Sequence, residues 1–450
     1  SGSATLVARG IAAFSLGTDT AGSGRVPAAF NNLVGLKPTR GWFSTRGVVP
    51  ACRSLDCVSV FAHTLEDAEV VAAVLGRFDA EDPFARPAPA VMGTRRLPPA
   101  PRLGVPAAPR FCGDAAAEAA FGEACSRLEA LGATLVPLDF APLHALADLL
   151  YEGPWVAERQ AAISAFLSRP GVTMHPVVQA IIGRADDFSA ADAFRADYHR
   201  AELVRAAEQQ MASVDALVVP STPTIHTQAA VAAEPVLLNT QLGTYTNFVN
   251  LMDGCALALP TGFRGDGLPT GVTLIAPAWH DIALLDFGRR WQRAHPWPLG
   301  VSGRLPSPPP QRAAAPGPAT VRLAVVGAHL SGMPLNYQLT ERAAVFVEAT
   351  QTADDYRLYA LPGTVPPKPG LIRGVDGAAI QVELWDMPVE AFGSFVALIP
   401  APLGIGTLQL ADGREVKGFI CESWAATGAL DITHFGGWRA YMAHERARAA

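Results

Sequence analysis

The sequence predicts an α/β chain in two unequal domains, and three observations predict it. Up to about residue 300, short β-branched runs alternate with helical patterns. From Val301 to Thr320 the stretch VSGRLPSPPPQRAAAPGPAT is rich in Pro, Ala and Ser with no apolar period, the composition of a semi-rigid exposed linker. Beyond it the pattern changes to short strands separated by Gly and Pro turns. The expected division is therefore 1–300, a linker over 301–320, and 321–450. A chain of 450 residues is too long for one ordinary core.

Along the chain, an apolar strand opens the stretch Ala13–Asp56 and runs into a turn of small residues at Asp19–Gly24. RLGVP near Leu103, a helix from Asp114 to about Leu131, and ATLVPLD make a β-α-β unit. In that helix Ala117, Phe121, Ala124, Leu128 and Leu131 share a face, Asp114 caps the start and Gly132 ends it. A second helix starts at Ser189, with Asp192 three residues on as a variant capping box. Its interspersed Arg, Asp and Glu form a solvated face up to the buried strand ALVVPS, which ends at Ser221. After the linker, LAVVGAHLSGMPLN, DYRLYALPG, AAIQVELWDMP, FVALIP, GTLQLADG and EVKGFICES read as strands of a small mixed or barrel-like β domain from about Val321 to Ala450.

Half of the residues are hydrophobic, 17% are charged and the formal net charge is -6. That balance supports a sizeable core and gives no basic excess for holding nucleic acid. No apolar run reaches the roughly 18 residues a membrane span needs, and SGSATLVARG lacks the regions of a signal peptide, so a cytoplasmic home is expected by default. Cys52, Cys57, Cys112, Cys125, Cys255 and Cys421 form no dense disulfide framework, and Cys52 and Cys57 have no second ligand pair at zinc spacing. Buried free thiols and no metal are the expectation. The chain does not begin with Met and opens directly on a Gly/Ser-rich segment, which reads as a fragment.

The most informative stretch is AFSLGTDTAGSGRVPAAFNNLVGLKPTRGWFSTRGVVPACRSLD, Ala13 to Asp56. A serine attacking an amide needs an exposed hydroxyl, a base to take its proton, and backbone N–H groups aimed at the developing oxyanion. Ser23, within Asp19-Thr20-Ala21-Gly22-Ser23-Gly24, sits among small neighbours that let a substrate approach the backbone. A lone Gly-Ser-Gly turn would more simply be structural. The flanking sequence changes that balance. GTDTAGSGRVPAAFNNLVGLKPTRG with Ser54-Leu55-Asp56, Pro220-Ser221-Thr222-Pro223 and Gly271-Val272-Thr273-Leu274-Ile275-Ala276 closely resembles the amidase-signature family over nearly everything before the linker.

The resemblance implies a mixed sheet flanked by helices and a Ser-Ser-Lys triad, with no metal or organic cofactor. Ser23 takes the nucleophile position, and Thr20, Ala21 and Gly22 with Ser23 resemble the oxyanion loop. Counting back, the bridging Ser would lie just before Ser1, because SGSA matches the tail of the family's Gly-Gly-Ser-Ser stretch, and the Lys base further upstream. The chain's lysines are Lys37, Lys368 and Lys417, none upstream of Ser23, and Lys37 reads as structural. On its own the fragment is therefore expected to hydrolyse amides poorly.

Leu150-Tyr151-Glu152-Gly153-Pro154-Trp155-Val156-Ala157-Glu158-Arg159 resembles a segment typical of allophanate hydrolases, in which the Tyr and the Arg eight residues later contact substrate. Allophanate is a small planar anion, and Arg offers a flat fork of donors for its carboxylate. Without the surrounding segment, Tyr151 and Arg159 would read as an amphipathic helix face. Tyr245 and Asn247, in a family-typical stretch, read equally as pocket or scaffold.

Val326-Gly327-Ala328-His329-Leu330-Ser331-Gly332-Met333-Pro334-Leu335-Asn336 resembles the start of the allophanate hydrolase C-terminal domain, a smaller α+β fold similar to gamma-glutamyl cyclotransferases. There the domain is implicated in decarboxylating N-carboxycarbamate. His329 matches the candidate histidine, with a hydrogen-bonded turn His as the plainer alternative. Glu383 and Glu422 sit on predicted strands, and neither is assigned a catalytic role. The resemblance further implies a homodimer and coupling to a biotin-dependent urea carboxylase. Two other readings remain open: a general amidase or amidotransferase-like hydrolase, and a non-catalytic binding or assembly module.

Overall fold

The computed structural model describes residues 2–306 and 320–449, which fall in two compact units, one within Ser1–Pro310 and one within Gln311–Ala450. Most of the expected linker lies outside the described residues. Among the described residues no helix is long and apolar enough to cross a membrane.

The first unit is built on eight strands: β1 (Phe14–Thr18), β2 (Val34–Lys37), β3 (Val58–Ala62), β4 (Arg102–Pro106), β5 (Thr134–Leu138), β6 (Ala216–Pro220), β7 (Cys255–Phe263) and β8 (Pro269–Ala276). They form one mixed sheet in the order β1-β3-β2-β7-β8-β6-β4-β5. The β4 pairings to β5 and β6 are parallel and the other pairs are antiparallel. Successive residues of a strand point to opposite faces. Thus Ala216 and Val218 enter one core while Leu217 and Val219 enter the other, and Leu257 and Ala256 divide in the same way. Helices Leu65–Leu75, Ala115–Ala130 and Asp281–Ala294 cover the first face. Helices Ala141–Glu152, Ala190–Met211 and Phe248–Leu251 cover the second. Strands buried on both sides read as continuous apolar runs, which is why ALVVP has no alternation.

The local signals act as the sequence predicts. Asp114 accepts from the N–H groups of Ala116 and Ala117 at the start of Ala115–Ala130, Phe121, Ala124 and Leu128 are its buried face, and Gly132 follows with φ +96°. Ser189 and Asp192 form the capping box of Ala190–Met211. The cysteine expectation needs a correction: Cys52, Cys57, Cys255 and Cys421 are buried and free, but Cys112 is exposed and Cys125 half-buried. Cys112 sits at φ +53° in a turn that leaves its side chain exposed.

The second unit holds β9 (Thr320–Val325), β10 (Val345–Gln351), β11 (Tyr356–Ala360), β12 (Pro369–Arg373), β13 (Gln381–Pro388), β14 (Leu403–Gln409), β15 (Glu415–Cys421) and β16 (Leu430–Asp431). Five make a mixed sheet, β10-β13-β9-β15-β14, and three an antiparallel sheet, β12-β11-β16. A main core around Leu323, Leu384, Phe395 and Trp438 backs them, with a smaller cluster of Leu361, Cys421 and Ala425 beside it in the chain's second unit. The segment FVALIP is not a strand. Phe395 and Val396 close the helix Val389–Val396, whose Phe395 is fully buried, and the chain then turns.

Candidate active site

The turn between β1 and the helix Arg25–Phe30 presents Ser23 with its side chain exposed. Beneath it, Asp19 and Arg25 form an ion pair with both side chains at 0% exposure. Asp19 accepts from Arg25 Nε at 2.9 Å and Nη2 at 2.8 Å, and from the N–H groups of Gly22 at 2.8 Å and Gly24 at 3.2 Å. Burial alone would raise the Asp19 carboxyl, but Arg25, with help from Lys37 and the Gly22 N–H, holds it below the usual carboxylate range. The carboxylate thus gathers the loop around itself through the Gly22 and Gly24 N–H groups. Those of Thr20, Ala21 and Ser23 donate to no protein acceptor among the described residues. Gly22 is the exception within the expected oxyanion loop. Its N–H is committed to Asp19, and what it supplies is φ +131°, a conformation open to glycine.

Residues distant in sequence clamp this loop. Thr246 Oγ1 donates to Ala21 O at 2.6 Å, and its own carbonyl accepts from Arg25 Nη1 at 3.1 Å. Asn250 Nδ2 donates to Asp19 O at 2.7 Å and Leu55 O at 2.9 Å. The buried Asp56 carboxylate accepts the Thr20 hydroxyl and the N–H groups of Ala51 at 2.9 Å and Cys52 at 3.2 Å.

The segment Ala51–Asp56 then leads to the second group of candidates. Cys52 donates through its thiol to Trp155 O at 3.5 Å and lies beside the Arg159 guanidinium. Burial pushes that thiol up to about 11, so it stays protonated. Ser54 donates through its N–H at 2.7 Å and its hydroxyl at 2.8 Å to Glu158. Arg159, on the helix Trp155–Leu167, lies 5.5 Å over the ring of Tyr151, which sits in the last turn of the preceding helix. Its Nε is buried and finds no hydrogen-bond partner among the described residues. An unclaimed buried guanidinium N–H costs free energy until an acceptor arrives.

Other candidates have plain roles. Lys37 is fully buried and donates to Pro38 O at 2.8 Å and Gly254 O at 2.7 Å. The Tyr245 hydroxyl pairs with the backbone of Arg110. In the second unit, His329 hydrogen-bonds Gln338 Oε1 through Nε2 at 2.9 Å, stacks on Phe419 at 4.9 Å and meets the edge of Phe395 at 5.3 Å. Burial holds its imidazole below the ordinary histidine range, the Gln338 bond opposing and Lys368 adding to the shift. Glu383 is buried, against the usual habit of strand carboxylates, and binds Ser331 and Arg439. Glu422 is exposed and accepts from Trp424 Nε1 at 2.7 Å.

The family model described as Amidase matches residues 1–285, and that of the allophanate hydrolase C-terminal domain matches 321–443. The chain belongs to the amidase family. Within that family it is 45% identical to the urea amidolyase of Lachancea kluyveri, over 98% of this chain and 25% of that protein. The chain thus spans about a quarter of the length of the urea amidolyases it matches. It is 31% identical to a glutamyl-tRNA(Gln) amidotransferase chain of Acinetobacter baumannii, over 66% of each. Among solved structures, an allophanate hydrolase of Kluyveromyces lactis superimposes with a TM-score of 0.73 at 44% identity, covering 98% of this chain and 75% of that one. The candidate site residues come from four separated segments, near 19–25, 51–56, 151–159 and 246–250.

Proposed function

We propose that the chain hydrolyses allophanate, urea-1-carboxylate, to ammonia and carbon dioxide. Ser23 attacks the terminal amide carbon, and the oxyanion is received by the uncommitted N–H groups of Thr20, Ala21 and Ser23. Ammonia leaves as the acyl-enzyme forms, and water then releases N-carboxycarbamate and restores Ser23. The base belongs to a Ser-Ser-Lys arrangement, and Lys37, sealed between two carbonyls, is not that lysine. The one observation that carries the substrate choice is Arg159. Its Nε–H is buried and unclaimed over Tyr151, and one hydrogen-bonded segment, Ala51–Asp56, links it to the loop of Ser23. A carboxylate-bearing amide supplies the acceptor this donor lacks.

The second unit assists loss of carbon dioxide from N-carboxycarbamate, with His329 in the cavity where that step occurs. The amidase relationship and the urea amidolyase likeness support coupling to a urea carboxylase that makes allophanate. The test is ammonia release from allophanate by the purified protein, with Ser23→Ala as control. Release abolished by Ser23→Ala is expected. Turnover of a neutral amide with none of allophanate would move the chain to the general amidases or amidotransferase-like hydrolases.

A further inference from the structure

Asn32 follows the helix Arg25–Phe30, whose start carries the Ser23 turn, and adopts φ +53°. Two acceptors orient its side-chain amide: Nδ2 donates to Pro298 O and, at 3.1 Å, to Gly300 O. The planar amide then directs Oδ1 away from those carbonyls, and that oxygen is buried with no hydrogen-bond partner among the described residues. Asn32 shares the wall of a cavity of about 10 Å³ with His63, His295 and Trp297. Each of these three also holds a buried polar atom that no described residue satisfies: His63 Nδ1, His295 Nε2 and Trp297 Nε1.

Among the described residues eight buried side-chain atoms are without a partner, and four of them belong to this one wall. Unrelated packing faults would be scattered, so the four have a common cause. The other side chains of the wall are apolar or satisfied. Trp291 Nε1 donates to Pro260 O at 3.0 Å, and Gln292 accepts from the Leu65 N–H at 2.9 Å and donates to His63 O at 3.0 Å. The donor inventory then selects the ligand. Trp297 offers only an N–H, and Asn32 Oδ1 only lone pairs. Burial holds both imidazoles below the ordinary histidine range, so each is neutral near neutral pH and presents either an N–H or a lone pair. A metal ion cannot take an indole N–H as a ligand, the wall has no Asp or Glu to offset its charge, and the Arg127 guanidinium lies 4.9 Å over the Trp297 ring. A water molecule uses all four groups. It accepts from Trp297 and one imidazole, and donates to Asn32 Oδ1 and the other.

We propose that this cavity is the binding site of a single ordered water, held by Asn32, His63, His295 and Trp297. Its volume is about what one water needs. Four buried polar groups left unmet would each carry a desolvation cost, and a water with up to four partners removes it. The water joins the segment 295–300 to Asn32. Together with the Asn32 bonds to Pro298 and Gly300, it fastens the far end of the helix that presents Ser23. This role is independent of which amide the Ser23 site takes.

High-resolution electron density of the unaltered protein is the first test. One peak within hydrogen-bonding distance of at least three of the four atoms is expected, and density showing a dry cavity overturns the proposal whether or not any variant folds. Oxygen-17 magnetic relaxation dispersion, which counts long-lived waters, then compares the parent with Trp297→Phe and His295→Phe. Each substitution removes one partner and keeps an aromatic ring. Each should abolish the contribution of one long-lived water or shorten its residence time by roughly tenfold, the effect of one lost hydrogen bond. An unchanged dispersion in both variants overturns the site. Zinc chloride is the probe for a metal in its place: thermal unfolding of the parent should be indifferent to it, and a zinc-dependent rise in Tm that His295→Phe abolishes would replace the water with a cation.

Discussion

Gly22→Ala is the substitution whose cost follows most directly from the loop geometry. A Cβ at Gly22 would lie 2.3 Å from Thr246 Oγ1 and 2.7 Å from Thr246 Cβ. Thr246 cannot step aside freely: it is fully buried, its hydroxyl holds Ala21 O, and its carbonyl holds Arg25. The φ of +131° is itself strained for any residue with a side chain, a cost of about 1–3 kcal/mol. Displacing the Thr246 hydroxyl adds about 1 kcal/mol for the lost hydrogen bond. The sum is roughly 3 kcal/mol, a fall in Tm of about 6–12 °C at the sensitivity of domains of this order of size. Thermal unfolding by calorimetry reads it. Thr246→Ala in the same chain relieves the contact but not the backbone strain, so the double mutant should show a favourable coupling of about 1 kcal/mol. A Gly22→Ala protein melting within about 2 °C of the parent, or strict additivity with Thr246→Ala, would refute the account.

Arg25→Met leaves Asp19 buried without its cation and should cost about 3–5 kcal/mol in urea unfolding, whereas Arg25→Met with Asp19→Leu should recover part of it; an unchanged midpoint in the single mutant would sink this. Arg159→Ala should raise KM for allophanate by roughly tenfold to a hundredfold, with a smaller effect on a neutral amide, and equal effects on both would count against the carboxylate role. Burial, the largest cause in each, holds His63, His144, His280, His295 and His329 below the ordinary range. Between their depressed values and about 6.5 the unfolded chain binds more protons than the folded one, so stability should rise with pH across that window. Urea unfolding at a series of pH values checks this, and stability that falls as pH rises there would contradict it.

What the sequence displays of this site is what lies close together along the chain. The turn Asp19–Gly24 is legible because small residues and a nucleophile follow an apolar strand within a few positions. The Asp114 and Ser189 caps are legible for the same reason, since a cap acts across two or three residues. The clamping roles of Asn250 and Thr246 carry no such signal, because their partners lie at separations such as 231 and 225 residues that no spacing rule reaches. Cys52 reads only as a buried thiol, and its place beside Arg159 depends on a helix more than a hundred residues on. Asp56 stands in the sequence as part of a resemblance, and its carboxylate proves to tie Thr20 to Cys52. FVALIP reads as a strand since a short apolar run has no period of its own, and the burial of Phe395 against the second core decides it as a helix end. The edge strand β10 gives no sequence signal, its side chains being mostly exposed and its run of VFVEATQ lacking a buried alternation.

The 231-residue span between Asn250 and Asp19 also sets a clock. At roughly 5–20 residues per second, a ribosome needs about 10–50 s after making Asp19 to deliver Asn250. Throughout that interval the serine turn has neither the Thr246 nor the Asn250 clamp. The nascent chain therefore carries its nucleophile in an unorganised loop, beside uncovered sheet faces that a holdase would recognise. Ser23 gains its ordered surroundings late in the synthesis of the first unit.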